Sequence, residues 1–257
     1  MPLGKDGVAR SELIMHDPFT WKNCHADVVS AGYGAIALSF LNEVIEPSLD
    51  TLSAQLDRWK NSEDPIAPFY VDDIEELNRA MIMAFCLSIQ SLWERQIREY
   101  LVGCARELKL DSDLIKKAMK GNWKNLDGIF HELRGISLTE FEPYQELDLL
   151  CQLGNVCRHG DGPSALSLWE KHSDLWPKRN QFSPFLPEEM NLEEEQPPPA
   201  KEIVITRNLL GSFVHAIVSF WNETEYIYLE SISDKHPSVV KKLSELRRER
   251  ALRKVEK

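Results

Sequence analysis

Apolar residues recur at intervals of three and four over most of the chain, and this helical spacing constrains the fold more than any other feature of the sequence. The clearest case runs from Asp72 to about Leu110, where the spacing predicts one long helix and a capping box formed by Asp72 and Glu75. No segment alternates with period two for long enough to build a sheet, and the short run at 203–205 is ambiguous. We therefore predict an all-α fold.

The same spacing predicts the other helices and the loops between them. An apolar helix ends near Pro47, and the breakers between residues 61 and 71 indicate a loop. Gly135 is placed to close one of the shorter helices. The predicted helices cover residues 28–45, 48–60, 112–120, 123–133, 143–159, 165–171, 206–232 and 238–254.

Composition shifts along the chain suggest how it is organised. We expect an irregular segment over residues 1–25 and a helical bundle domain over 26–176. Six prolines and a run of glutamates predict a loop or linker over 177–200. C-terminal helices over 201–257 are expected to pack on the bundle, with a basic tail from residue 235.

The charge is unevenly distributed. The whole chain carries a formal charge of −11, which argues against a protein coated in basic surface. From Lys235 to Lys257, however, nine lysines and arginines face three glutamates. A basic tail on an acidic body can contact RNA phosphates, fold back on the body or stay solvated, and the sequence leaves these alternatives open.

The cysteines and the N-terminus limit the chemistry and the location. The five cysteines are an odd number and include no Cys-x-x-Cys pair, so we expect no disulfide framework and no zinc site. We predict no metal and no cofactor. The N-terminal residues lack an apolar signal-type run, and no stretch approaches eighteen uninterrupted apolar residues, so we expect a cytoplasmic protein without a membrane segment.

One predicted helix carries an unusual polar stripe. Between residues 145 and 159, a wide apolar arc leaves one narrow polar face. Surface helices are dominated by Lys and Glu, whereas this face holds side chains suited to directed hydrogen bonding and proton transfer. Its members are Gln145, Asp148, Gln152, Asn155 and His159.

His159 stands at the C-terminal end of this helix with Arg158 beside it. The negative potential of a helix C-terminus favours the protonated imidazole. A charged imidazole next to an arginine and an amide suits a phosphodiester, because the arginine balances phosphate charge and the imidazole transfers protons. The alternative is structural, since Arg-His before Gly160 also makes an ordinary helix C-cap.

The segment from Leu153 to Gly162 resembles the motif of the HEPN superfamily, small helical bundles often found as ribonuclease toxins and antiphage effectors. The resemblance covers mainly residues 75–172. Family members carry Arg, a polar residue that is often Asn, three to five further residues, and His on the last core helix. Asn155 and His159 match this pattern, whereas Gly154 occupies the arginine position.

The resemblance implies an up-and-down bundle of HEPN type, with additional N- and C-terminal helices, that acts as a homodimer. It implies metal-independent cleavage of RNA, expected to be single-stranded, by attack of the 2′-hydroxyl on the adjacent phosphate. His159, Asn155 and Arg158 are the expected catalytic residues. The expected supporting residues are Gln152, Asp148 and Glu94, although pairing with Arg98 is the alternative role of Glu94.

Two further readings stay open at this point. A helical module that lacks catalysis can bind RNA or a protein through the same stripe, which the glycine at position 154 favours. The chain can also be a subunit of a larger assembly, with its basic C-terminal helix as the contact. A toxin or defence effector would further imply a neutralising or regulatory protein partner.

Overall fold

The computed structural model describes residues 19–177 and 198–255, and the regular secondary structure of these ranges is helical, with no strand among them. The predicted all-α class is confirmed for this part of the chain. The segment before residue 19 and most of the predicted linker lie outside the described residues. Residues 203–206, which the sequence left ambiguous, are neither helix nor strand.

The helices follow the predicted order, joined by short 3₁₀ turns and connecting segments. Most boundaries agree with the sequence periodicity to within one or two residues. The helices are α1 (His25–Ser30), α2 (Tyr33–Phe40), α3 (Glu46–Lys60), α4 (Ala67–Leu108), α5 (Ser112–Lys120), α6 (Trp123–Arg134), α7 (Tyr144–His159), α8 (Pro163–His172), α9 (Arg207–Glu230) and α10 (Pro237–Val255).

Two prolines begin helices where the sequence predicted an end or a loop. A π-helical turn, Leu41–Ile45, joins α2 to α3, and Pro47 lies in the first turn of α3. Pro68 lies at the second residue of α4, so this helix begins five residues before the predicted start. The first turn of α4 leaves its N–H groups without helical acceptors, so Pro68 loses no hydrogen bond there. Pro47 instead follows the π-helical turn, in which the N–H of Glu46 donates to the carbonyl of Leu41.

The predicted capping box of the long helix is wrong because Asp72 and Glu75 lie inside α4. Glu75 instead pairs with Lys60, with 2.8 Å between Nζ and Oε1. Helix ends elsewhere follow the expected chemistry. Asp111 accepts the backbone N–H groups of the first turn of α5, and Gly135 closes α6 with a φ of 75°.

Contacts divide the chain into two compact units, each built from separated stretches of sequence. The first unit comprises the described parts of Met1–Ile36, Glu94–Gln145 and Ala216–Lys257. Its core is aromatic. Phe220 contacts Phe141 and Trp221 with ring centroids 4.6 and 5.0 Å apart, and Tyr100 contacts Trp221 at 5.5 Å. Edge-to-face and offset contacts of this kind add to the burial of apolar area.

The second unit comprises Ala37–Trp93 and the described part of Glu146–His215. Its core includes the apolar side of α7, whose leucines and valine are almost fully inaccessible to solvent. The buried residues of this side are Leu147, Leu150, Cys151, Leu153, Gly154 and Val156. This burial fixes the rotation of α7 and so decides which residues of the helix reach the surface.

The helical stretch His25–Lys60 contains an 18-residue window with a mean hydropathy of 1.5, of which 28% is buried. By length and composition alone, this stretch is apolar enough to cross a membrane. One such helix is a weak indication, because core helices of soluble proteins and signal sequences have the same character. The expected absence of a membrane segment therefore stays a prediction.

Candidate functional site

Helix α7 presents its polar residues on the side opposite its buried face. Asn155, Arg158 and His159 are exposed, whereas Asp148 and Gln152 are half-buried. Residues 155 and 159 are one helical turn apart, so their side chains project from the same face. The structure therefore brings together five of the six predicted site residues on one helix.

His159 is the last residue of α7. The backbone N–H of Gly160 donates to the carbonyl of Val156 at 2.8 Å, and Gly160 takes a left-handed φ of 66°, which ends the helix. Among the residues that the structure describes, neither His159 nor Asn155 makes a side-chain hydrogen bond or an ion pair. Both groups are therefore available to a ligand or to a second chain.

Within the stripe, Gln152 is hydrogen-bonded to Asp148. Its Nε2 donates to Asp148 Oδ2 at 2.7 Å, one turn earlier on the helix. Its Oε1 atom is buried and accepts no hydrogen bond from the described residues. A buried carbonyl oxygen without a donor costs free energy, so this amide needs a water or another donor to be satisfied.

The glycine at the expected arginine position has a steric cause. A Cβ at Gly154 would lie 2.5 Å from Cγ of Gln90 on α4, well inside van der Waals contact. Gln90 is itself only 3% exposed, and its side chain lies directly against the backbone of α7. An arginine at position 154 is therefore excluded unless Gln90 moves.

Arg158 follows Gly154 by one turn and contacts the same glutamine. Its Nη2 donates to Gln90 Oε1 at 3.1 Å. The guanidinium is exposed and anchored by only this hydrogen bond among the described contacts. Arg158 thus places a cation at the end of α7, one position from His159 and held by a neutral partner.

Glu94, the sixth predicted residue, belongs to the first unit and does not lie on α7. Arg98 donates to its Oε1 from Nε at 3.0 Å and from Nη2 at 2.6 Å. Arg98 also donates to the carbonyls of Ala118 and Gly121 at the end of α5. The expected pairing of Glu94 with Arg98 is present, and it serves to cap α5.

Sequence reasoning assigned no role to the thiols near the stripe. Cys157 on α7 contacts Cys86 on α4, and the hydrogen bond between them lowers the pKa of Cys157 and raises that of Cys86. Cys86 is fully buried. No local pattern signals such a pair, because the two residues are far apart in sequence.

A groove of about 760 Å³ in the first unit is lined by residues of α1, α2, α4 and α5. Its lining includes Val29, Val102 and Met119 together with Arg95 and Arg106. Within residues 19–177 and 198–255, no group of three or more His, Cys, Asp or Glu side chains is arranged to hold a metal ion.

Comparison with known proteins gives no relative for this arrangement of helices and side chains. No protein-family model matches the chain, and no curated protein and no solved structure match it either. The HEPN resemblance therefore rests on the sequence pattern of residues 75–172, and within it on Asn155 and His159 of α7.

Proposed function

We propose that the protein is a HEPN-like, metal-independent endoribonuclease of the cytoplasm that acts as a homodimer on single-stranded RNA, as a toxin or antiphage effector. The observation that carries the proposal is the exposed pair Asn155 and His159, one turn apart at the end of a helix whose opposite side is buried in the core of the second unit. An amide and an imidazole on one face can both donate and accept hydrogen bonds toward a ligand or a second chain.

The chemistry assigned to these residues follows from their types. The 2′-hydroxyl of a ribose attacks the adjacent phosphate, and the 5′-oxygen of the next nucleotide leaves. An imidazole accepts the proton of the 2′-hydroxyl as it attacks and returns a proton to the 5′-oxygen as it leaves, and this is the role of His159. Asn155 donates a hydrogen bond to a phosphate oxygen, and Arg158 balances the charge that develops in the transition state. Gln152 and Asp148 hold the stripe in place through their mutual hydrogen bond.

A homodimer fits the unsatisfied polar groups of α7. Two facing stripes would supply one another with donors and acceptors at the exposed side chains of Asn155, Arg158 and His159. Mass measurement in solution tests this step, and a monomer at all accessible concentrations would contradict it.

Cleavage of single-stranded RNA in the presence of EDTA tests the activity. We expect His159→Ala to lower the rate by at least about a hundredfold, as loss of a general acid or base does. The matched control is His131→Ala, which removes another exposed histidine from the last turn of a helix, α6. Equal rates for the two variants would refute the assignment of His159.

A second candidate function is favoured by the contact between Gly154 and Gln90. Because Gln90 occupies the space that the family's arginine would need, the chain can be a helical module that binds RNA or a protein partner without cleaving. In that case His159→Ala weakens RNA binding measured by fluorescence anisotropy, while no RNA product forms with either protein. A neutralising or regulatory partner would be expected to cover the same stripe.

A further inference from the structure

The first unit contains a guanidinium that is removed from solvent. The Arg134 side chain is 0% exposed, and its Nη2 lies 2.6 Å from Asp27 Oδ1 in a buried ion pair. Its Nη1 donates to the carbonyl of Lys22 at 2.9 Å. The guanidinium carbon also lies 4.5 Å from the ring centroid of Trp21 and 5.0 Å from that of Tyr100. These contacts hold the cation in one position.

Two thiols complete the surroundings of this cation. Cys24 Sγ and Cys104 Sγ are 3.7 Å apart. Arg134 Nη2 lies 3.3 Å from the first sulfur and 3.0 Å from the second. A neutral thiol is a weak acceptor, whereas a thiolate beside a guanidinium is strongly stabilised. Nη2 of Arg134 therefore contacts the carboxylate of Asp27 and both sulfurs.

The close approach of two helices creates the pair. A Cβ at Gly103 would lie 2.8 Å from the Cβ of Ala26, so the glycine allows α1 to pack tightly on α4. Cys24 directly precedes α1, and Cys104 directly follows Gly103 on α4. The contact between Ala26 and Gly103 therefore brings the two sulfurs together.

The two thiols differ in reactivity. The hydrogen bond with Cys104 lowers the pKa of Cys24 to about 7, helped by the charge of Arg134 and opposed by burial. Burial raises the pKa of Cys104. Cys24 keeps 8% of its surface exposed, whereas Cys104 is fully buried. Cys24 is therefore suited to attack an oxidant first, and Cys104 is suited to react afterwards with the oxidised Cys24.

We propose that Cys24 and Cys104 form a peroxide-reactive dithiol, with Arg134 as the cation that activates Cys24. The Cys24 thiolate attacks one oxygen of hydrogen peroxide, the O–O bond breaks, and hydroxide takes up a proton and leaves as water. The resulting sulfenic acid is attacked by the sulfur of Cys104, which gives up its proton as a second water leaves. Two thiols are oxidised to one disulfide and one peroxide is reduced to two waters.

The geometry requires little movement. The sulfurs have to close from 3.7 Å to about 2 Å. The new bond would join the start of α1 to the C-terminal end of α4 and remove the thiolate that Arg134 stabilises. Arg134 would retain Asp27, so the oxidised unit keeps its buried ion pair.

Peroxide treatment of the full-length protein under native conditions, followed by peptide mapping without reductant, tests the proposal. To exclude the second thiol pair, Cys86 and Cys157 are both replaced by Ser. We expect a disulfide between Cys24 and Cys104, and no such disulfide when the chain is oxidised in concentrated urea at the same peroxide dose. With Cys104→Ser, Cys24 should stop at a sulfenic acid that dimedone traps.

A second measurement keeps the proposal falsifiable if a variant fails to fold. The rate at which iodoacetamide alkylates Cys24 in the wild-type protein should rise with pH through an inflection at about 7, rather than at the ordinary thiol value of 9.0. At pH 7 this corresponds to an increase of at least about tenfold in the thiolate fraction over an ordinary thiol. An inflection near 9, or peroxide products that never join Cys24 to Cys104, would overturn the proposal.

Discussion

Position 154 is restricted to glycine by the neighbouring side chain of Gln90, and not by a backbone conformation that requires glycine. It lies within α7 at an ordinary helical position, and the nearest atom to a Cβ there would be Cγ of Gln90, at 2.5 Å. Gln90 is buried and bonded to Arg158, so it cannot swing out into solvent without losing that hydrogen bond. The residue type at position 154 is therefore decided by a side chain sixty-four positions away in the sequence.

We expect Gly154→Ala to lower the free energy of unfolding by about 1–3 kcal/mol, because the added methyl overpacks the contact with Gln90. Urea denaturation measures the change. Gly211→Ala in α9 is the matched control, since a Cβ there meets nothing within 4 Å. That variant should be stabilised by about 0.5–1 kcal/mol through the higher helix propensity of alanine. Equal effects of the two substitutions would contradict the steric explanation.

Asp27 is the partner of the buried guanidinium, and both side chains are at most 1% exposed. Asp27→Ala leaves Arg134 charged and buried without its counter-ion, which should cost about 3–5 kcal/mol. The comparison is Lys116→Ala, which breaks the exposed pair with Asp113 and should cost no more than about 0.5 kcal/mol. Thermal unfolding of the two variants distinguishes these outcomes.

At the scale of helices, the local sequence pattern predicted well which helices exist and in what order. It predicted their first residues less well. The periodicity of α5, α6 and α7 fixed their bounds because each has a capping residue or a glycine stop next to its apolar stripe. The start of α4 was misplaced because Pro68 serves equally as a breaker and as a first-turn residue. Which role it takes depends on packing that the sequence does not display.

Glu94 was expected to support catalysis, with pairing to Arg98 as the alternative, and the structure contains that pair. We expect Glu94→Gln to lower the free energy of unfolding by about 1 kcal/mol, because it weakens a pair that is 20–31% exposed and positions Arg98 on α5. RNA cleavage or binding should change by less than about twofold. A large loss of activity at unchanged stability would instead return Glu94 to the active site.

At the scale of the whole chain, three basic residues of the C-terminal helix pair with glutamates within the first unit. Arg247 pairs with Glu230, and Lys242 and Arg250 pair with Glu225 and Glu223 of α9. Of the alternatives that the charge distribution left open, the structure shows α10 folded back on α9. The charge count predicted that this helix is basic. Its pairing with acidic residues of α9 could be seen only in the structure.

We expect Glu230→Gln to lower the free energy of unfolding by about 1–2 kcal/mol, because Glu230 is 4% exposed and receives two hydrogen bonds from Arg247. Glu223 and Glu225 are more exposed. Glu225→Gln should therefore cost less, about 0.5 kcal/mol. Chemical denaturation in low and high salt checks both, and an equal loss for the two would contradict the difference in burial.

Part of the candidate site could be predicted from the sequence and part could not. The stripe with Asn155 and His159 could be read from the sequence, because one helix carries it. The contacts of Gly154 with Gln90 and of Cys24 with Cys104 could not, because each joins two helices whose relative rotation depends on the whole core. The helical wheel of a single helix therefore cannot show the contacts between helices that tune the reactivity of these residues.

The first unit draws its residues from the beginning, the middle and the end of the chain. Its aromatic core includes Phe220 and Trp221, which are synthesised after most of the second unit. On the ribosome, Tyr33 of α2 and Tyr100 of α4 must therefore wait without their contacts to Trp221 until α9 leaves the exit tunnel. A nascent chain arrested before residue 216 would lack this part of the aromatic core and would be a natural substrate for chaperones and proteases.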